Sequence, residues 1–189
     1  VTSSKSLETV KKMFPPLPLD INNLESPKEK IKNIKNIIMA GIGGTGVSTI
    51  AAIIVMAARL DKLYAQSMNF TGLAQKNGAV TSQIRISNEK SLYTKSARLP
   101  NETANLLLGC DAVVSVSPSI TRTLNNKKTK AIVNGRVEPL GVTGVHIGKV
   151  VDDQLLKKHL EIHINSDNIN FVDISSLAEA LVGDTVSAN

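Results

Sequence analysis

The run Gly41-Ile42-Gly43-Gly44-Thr45-Gly46 carries the clearest chemical signal in this chain. Glycines at that density permit positive φ and let a ligand approach the backbone without side-chain obstruction. The run follows the apolar stretch Asn36-Ile37-Ile38-Met39-Ala40 and precedes the Ala- and Ile-rich residues 47–60. A strand that turns through glycines into a helix presents free N–H groups and a partial positive charge, which suit a phosphate. The same turn also serves tight strand–helix packing with no ligand, and the pattern alone leaves both readings open.

Neighbouring chemistry narrows the choice. A nicotinamide dinucleotide asks for an Asp or Glu about 20 residues further on, at the end of the second strand, to hold the ribose hydroxyls. Here that place reads Ser67-Met68-Asn69-Phe70. No carboxylate stands there, and Asn69 can still accept one hydrogen bond, so NAD is disfavoured rather than excluded. No Gly-Lys-Ser/Thr closes the loop, which excludes a P-loop. A Gly-x-Ser-x-Gly elbow is missing as well, and the serines of Ser115-Val116-Ser117-Pro118-Ser119 read as a helix cap.

The single Cys110 rules out a disulfide within the chain and an iron–sulfur cluster or Cys-rich zinc site made by it alone. Placed after Leu106-Leu107-Leu108, it reads as a buried, inert thiol. His159 and His163 stand at i, i+4 without the glutamate of a zinc protease, and read as an exposed last helical turn. No residue is assigned as catalytic and none as a metal ligand.

Composition bounds the elements that position these groups. Three Phe, two Tyr and no Trp among 189 residues leave a core of Ile, Val, Leu and Ala, which suits a parallel sheet covered by helices. So few aromatics cannot furnish a stacking platform for single-stranded nucleic acid. The net charge of +6 is weak support for nucleic acid, because it would need to gather on one face. No apolar run approaches the roughly 20 residues that span a bilayer, and the first residues lack the apolar core of a signal peptide. A cytoplasmic protein with no nucleic-acid and no membrane partner is expected. The chain opens on Val1, which fits a processed or excised fragment.

Residues 1–35 read as a Pro- and Lys-rich linker, with Phe14-Pro15-Pro16-Leu17-Pro18-Leu19 unable to continue a helix or inner strand. Residues 36–189 read as the domain. Strands are expected at 36–40, 63–70, 79–87, 91–99, 112–116, 130–134 and 170–174. Helices are expected at 47–60, 102–108, from Ser119, at 152–160, and at 175–181 stopped by Gly183. The 47–60 helix is apolar nearly all round and should be packed on several sides. The order predicts an α/β, doubly wound, mostly parallel Rossmann-like sheet with helices on both faces and an inserted β-hairpin.

Taken together, Gly41 to Gly46, the Ala-rich helix and Thr71-Gly72-Leu73-Ala74-Gln75-Lys76-Asn77-Gly78-Ala79-Val80, with Ser82 and Arg85-Ile86, resemble the gamma domain of 2-oxoacid:ferredoxin oxidoreductases. The stretches Leu107-Leu108-Gly109-Cys110-Asp111-Ala112-Val113-Val114 and Leu181-Val182-Gly183-Asp184 are similar to the indolepyruvate branch in its fused form. The resemblance covers residues 36–189. It implies part of an enzyme that oxidatively decarboxylates a 2-oxo acid to an acyl-CoA and passes electrons to ferredoxin. Thiamine diphosphate, Mg and 4Fe-4S clusters would belong to other domains or subunits, which are the implied partners. Gly41, Gly43, Gly44, Thr45 and Gly46 would approach the phosphates of coenzyme A, with Asn69 nearby. Gly72, Gln75, Lys76, Asn77 and Gly78 would form a loop facing the substrate or the catalytic domains. Two residues depart from the family's pattern: Asn77 stands where a second glycine is common, and Asn69 where the branch has an acid. The alternative is a stand-alone dinucleotide-binding or sensor domain.

Overall fold

The computed structural model describes residues 31, 33–72, 78–135 and 153–183. Along the chain run β1 (Lys35–Ile42), α1 (Val47–Leu60), β2 (Tyr64–Thr71), β3 (Ala79–Ser87), a 3-10 turn (Lys90–Thr94) and β4 (Leu106–Gly109). Then follow α2 (Ala112–Ser115), α3 (Pro118–Thr121), β5 (Lys130–Asn134), α4 (Asp153–Glu161), β6 (Ile169–Val172) and α5 (Ile174–Val182). The strands form one sheet in the order β2-β3-β1-β4-β5-β6. Strands β1, β4, β5 and β6 are mutually parallel, while β3 runs antiparallel to both β1 and β2. This is the expected doubly wound α/β sheet, with the hairpin β2–β3 forming one whole edge.

Alternation along β1 feeds two cores, as the period of two requires. Met39 joins Val47, Ala51, Ala58, Ala65, Ile84 and Ile86 on the α1 face. Ile38 and Ala40 join Leu107, Ala131 and Val133 on the opposite face, under Ala112, Ile120, Leu156 and Leu160. Helix α1 rests on one side only: Ile53, Met56 and Leu60 are 59–77% exposed. Among the described residues, the expected packing on several sides is not seen.

Three other expectations change. The 102–108 helix is not formed; its second half is β4, wedged between β1 and β5 with Leu107 opposite Ile38 and Ala131. A short leucine run does not distinguish a buried strand from a helix, and the vacancy between two strands decided it. The 112–116 strand is instead the short helix α2. The Asp111 carboxylate accepts the Val114 N–H at 2.7 Å, an N-cap that outweighs the β-branched composition. The 91–99 strand is replaced by the 3-10 turn and an irregular crossing of the sheet. There, polar side chains of the hairpin take the backbone groups a partner strand would have used. Gln66 donates to the Leu92 and Lys95 carbonyls, Arg85 to the Ser96 carbonyl, and Gln83 accepts the Leu99 N–H at 2.6 Å.

Candidate functional site

Strand β1 ends at Ile42, and the turn that follows folds back on itself. The Thr45 N–H and hydroxyl both donate to the Ile42 carbonyl, at 3.1 and 2.7 Å. Gly44 and Gly46 adopt φ of +94° and +79°, the left-handed region that favours glycine. Gly46 is the N-cap of α1, and no side chain caps it. The Ile50 N–H bonds back to the Gly46 carbonyl at 2.9 Å. The N–H groups of Val47, Ser48 and Thr49 precede the intrahelical ladder and remain available to an anion.

The glycines divide by task. A Cβ on Gly41 would lie 2.6 Å from Val47 Cγ2 and 3.1 Å from Cys110 Cβ, so its smallness serves packing. A Cβ on Gly44 or Gly46 would meet none of the described residues within 4 Å. Space above those two is open, which is the geometry a bound group requires. Gly43 makes a third kind of contact: its N–H donates to the Gly78 carbonyl at 2.8 Å. The Gly72 N–H donates to the Ala79 carbonyl at 2.9 Å and closes the hairpin end. Both glycines that bound the hairpin loop are thus fixed, and one of them is tied to the glycine turn. Gln75, Lys76 and Asn77 lie outside the described residues.

The turn stands at the topological switch point. β1 leads into α1 on one face and β4 into α2 on the other, which opens a crevice at their carboxyl ends. The floor is backbone: the Cys110 and Asp111 N–H groups both donate to the Ala40 carbonyl, at 2.7 and 3.2 Å. On the far side, Asn134 at the end of β5 donates to Ser175 Oγ at 2.7 Å and ties α5 to the crevice. Asn134 and Ser175 belong to no motif and only the strand order reveals them. Burial, reinforced by the neighbouring Asp111 carboxylate, pushes the Cys110 thiol up to about 11. It is a neutral packing group at physiological pH, not a nucleophile.

Asn69 is placed differently from the turn residues. β3 intervenes between β1 and β2, and the register puts Asn69 opposite Ser82, which faces Met39. Two strand spacings, roughly 10 Å, separate it from β1. Its amide oxygen accepts the Ser82 hydroxyl at 2.8 Å. A dinucleotide fold needs its second strand beside the first to bring an acidic group onto the ribose. The hairpin removes that arrangement together with the carboxylate. The His159 and His163 rings lie 5.9 Å apart, and among the described residues no three metal-ligating side chains gather. No helix of the described residues is long and apolar enough to cross a membrane.

An open α/β sheet with a glycine turn at its switch point and an antiparallel hairpin closing one edge defines a doubly wound class of domain. Residues 36–189 match the family model described as pyruvate ferredoxin/flavodoxin oxidoreductase, and the chain belongs to that family. It is accordingly part of an oxidoreductase. Among solved structures, the chain is similar to the pyruvate oxidoreductase subunit PORC of Thermotoga maritima, at 18% identity and a TM-score of 0.55. That match covers 83% of this chain and 71% of the other. It is also similar to the 2-oxoglutarate:ferredoxin oxidoreductase of Magnetococcus marinus, at 15% identity and a TM-score of 0.53. There 85% of this chain matches 23% of the larger protein, whose structure holds 2-oxoglutarate, coenzyme A and succinyl-CoA. No curated protein matches the chain significantly.

Proposed function

We propose that residues 36–189 are the gamma domain of a thiamine-diphosphate-dependent, indolepyruvate-type 2-oxoacid:ferredoxin oxidoreductase, with residues 1–35 as its lead-in linker. The whole enzyme, in the cytoplasm, converts a 2-oxo acid and coenzyme A into an acyl-CoA and CO2 and delivers two electrons to ferredoxin. Thiamine diphosphate, Mg and 4Fe-4S clusters sit on other domains or subunits. This chain contributes binding and positioning, with no catalytic residue of its own.

Coenzyme A, whose thiol receives the acyl group, is held at Gly41, Gly43, Gly44, Thr45 and Gly46. The open space above Gly44 and Gly46 and the unspent N–H groups at the start of α1 fit its phosphates. Asn69, two strands away on β2, is left out of this site, and the loop segment with Gly72, Gln75, Lys76, Asn77 and Gly78 is assigned to contact with the catalytic domains. The observation that carries the reading is the 2.8 Å bond from Gly43 to Gly78, which ties the turn to the residue that ends the loop segment. The coenzyme A and succinyl-CoA in the Magnetococcus relative support it.

The experiment is reconstitution. Enzyme assembled without this domain should lose acyl-CoA formation, and Gly44→Val in the full enzyme should weaken coenzyme A affinity. Unchanged turnover without the domain would sink the functional reading. Unchanged coenzyme A affinity in Gly44→Val would sink the site alone.

A further inference from the structure

A second basic feature shares no residue with the glycine turn or the 72–78 loop. The irregular crossing after the 3-10 turn, together with the end of α3, lines an open surface depression of about 320 Å³. It is lined by Ser96, Arg98, Leu99, Pro100, Asn101 and Arg122. Its polar lining consists of two guanidiniums, a hydroxyl and an amide, with no carboxylate. Neither the Arg98 nor the Arg122 guanidinium is ion-paired among the described residues.

Five of the six lining residues are exposed, and Leu99 forms the buried floor. Arg98 lies over the Phe70 ring, 5.9 Å from its centroid, which holds the guanidinium in place. The Arg98 backbone N–H donates to Ser96 Oγ at 3.1 Å, and the adjacent Leu99 backbone N–H donates to Gln83 Oε1. Behind the wall, Arg85 is only 8% exposed and donates to two neutral oxygens, the Ser96 carbonyl and Asn36 Oδ1. Among the described residues, no carboxylate pairs with that buried cation. An uncompensated charge inside a fold is unfavourable unless something offsets it. Through the Ser96 carbonyl it is bonded to one of the residues that line the depression. The nearest acid in sequence, Glu102, lines a neighbouring depression with Lys127 and His163.

We propose that this depression is a binding site for a small phosphate- or diphosphate-bearing ligand, gripped by Arg98 and Arg122. Planar guanidinium forks match phosphate oxygens in pairs. The inference does not depend on the coenzyme A site.

Titration of the full 189-residue chain with pyrophosphate, followed by NMR, tests it. Saturable shifts should appear at the Ser96, Arg98 and Asn101 amides and at the Nε resonances of Arg98 and Arg122. Arg98→Gln and Arg122→Gln should each weaken binding at least about tenfold, with unaltered melting showing that the fold survives. Lys128→Gln, a loss of one charge outside the depression, should leave binding unchanged. Shifts confined to residues 41–49, unsaturable shifts, or an equal loss in Lys128→Gln would each overturn the proposal. Binding of an oligoglutamate peptide at this site without any pyrophosphate response would overturn it in favour of a protein partner.

Discussion

The Gly43 N–H donates to the Gly78 carbonyl at 2.8 Å, across 35 residues of chain. The bond joins the turn after β1 to the base of the hairpin loop, so neither piece can move without the other. Lengthening or shortening the loop should therefore disturb the turn. Deleting one residue within 73–77 should alter the amide shifts of Gly43 and Gly44 in NMR spectra. Unaltered shifts would show that the two segments are uncoupled.

Gly44 holds φ at +94° with none of the described residues near its missing Cβ, so a substitution there meets strain rather than collision. Gly44→Ala should cost about 1–2 kcal/mol in denaturant unfolding. Gly44→Asn should recover part of that loss, because Asn tolerates the left-handed region. If Gly44→Ala is as stable as the native chain, the turn does not adopt this geometry in solution.

Gly41 should behave in the opposite manner. A methyl group there collides with Val47 Cγ2 at 2.6 Å and crowds Cys110, so α1 must shift off the sheet. Gly41→Ala should destabilise by about 1–3 kcal/mol through overpacking. Val47→Ala made on top of it should restore part of the stability. A second change that only adds to the loss would refute the collision.

Cys110 provides a pH signature. Its pKa rises from 9.0 to about 11 on folding, chiefly through burial, with Asp111 adding to the effect. The unfolded chain therefore loses the proton first. The stabilisation is fully present below pH 9 and fades as pH rises toward 11. Folding stability should fall over that window, and Cys110→Ser should flatten this part of the profile. Alkylation by iodoacetamide at pH 8 should be far slower than for an exposed thiol. Rapid alkylation of the folded chain would contradict the burial.

Arg85 anchors the crossing segment through the Ser96 carbonyl and binds Asn36 Oδ1 at 3.2 Å. Burial also draws its pKa below the ordinary arginine value. Arg85→Ala leaves both acceptors without this donor and should cost about 2–4 kcal/mol. Hydrogen exchange should then accelerate at the Leu99 amide. If exchange there stays slow, the segment is held by Gln83 alone.

What was legible in the sequence followed period and punctuation. β1, α1, β3 and β5 stood out because apolar runs were bounded by glycine or by alternating polar residues. Gly183, in the left-handed conformation after α5, stopped that helix as a C-terminal glycine does. The glycine turn was legible for the same reason, since two of its members need positive φ. Residues 102–116 were not. There Leu106–Gly109 becomes a strand and Ala112–Ser115 a helix, because a gap in the sheet and one capping aspartate outrank local propensity. The lateral shift of Asn69 was also hidden. Periodicity identifies a strand but does not say which neighbour it pairs with, and β3 took the place beside β1. Asn134 and Ser175 lie 41 residues apart and meet only through the strand order.

The bare side of α1 has a practical consequence. Ile53, Met56 and Leu60 follow one another at helical spacing, all more than half exposed. Contiguous apolar surface of this kind lowers solubility. A copy of the chain made in excess of its partners carries that stripe into water, where contact with another copy relieves the exposure. Yield of the isolated chain should thus be limited by precipitation rather than by failure to fold, and the ratio in which a cell makes the pieces becomes part of keeping this one soluble.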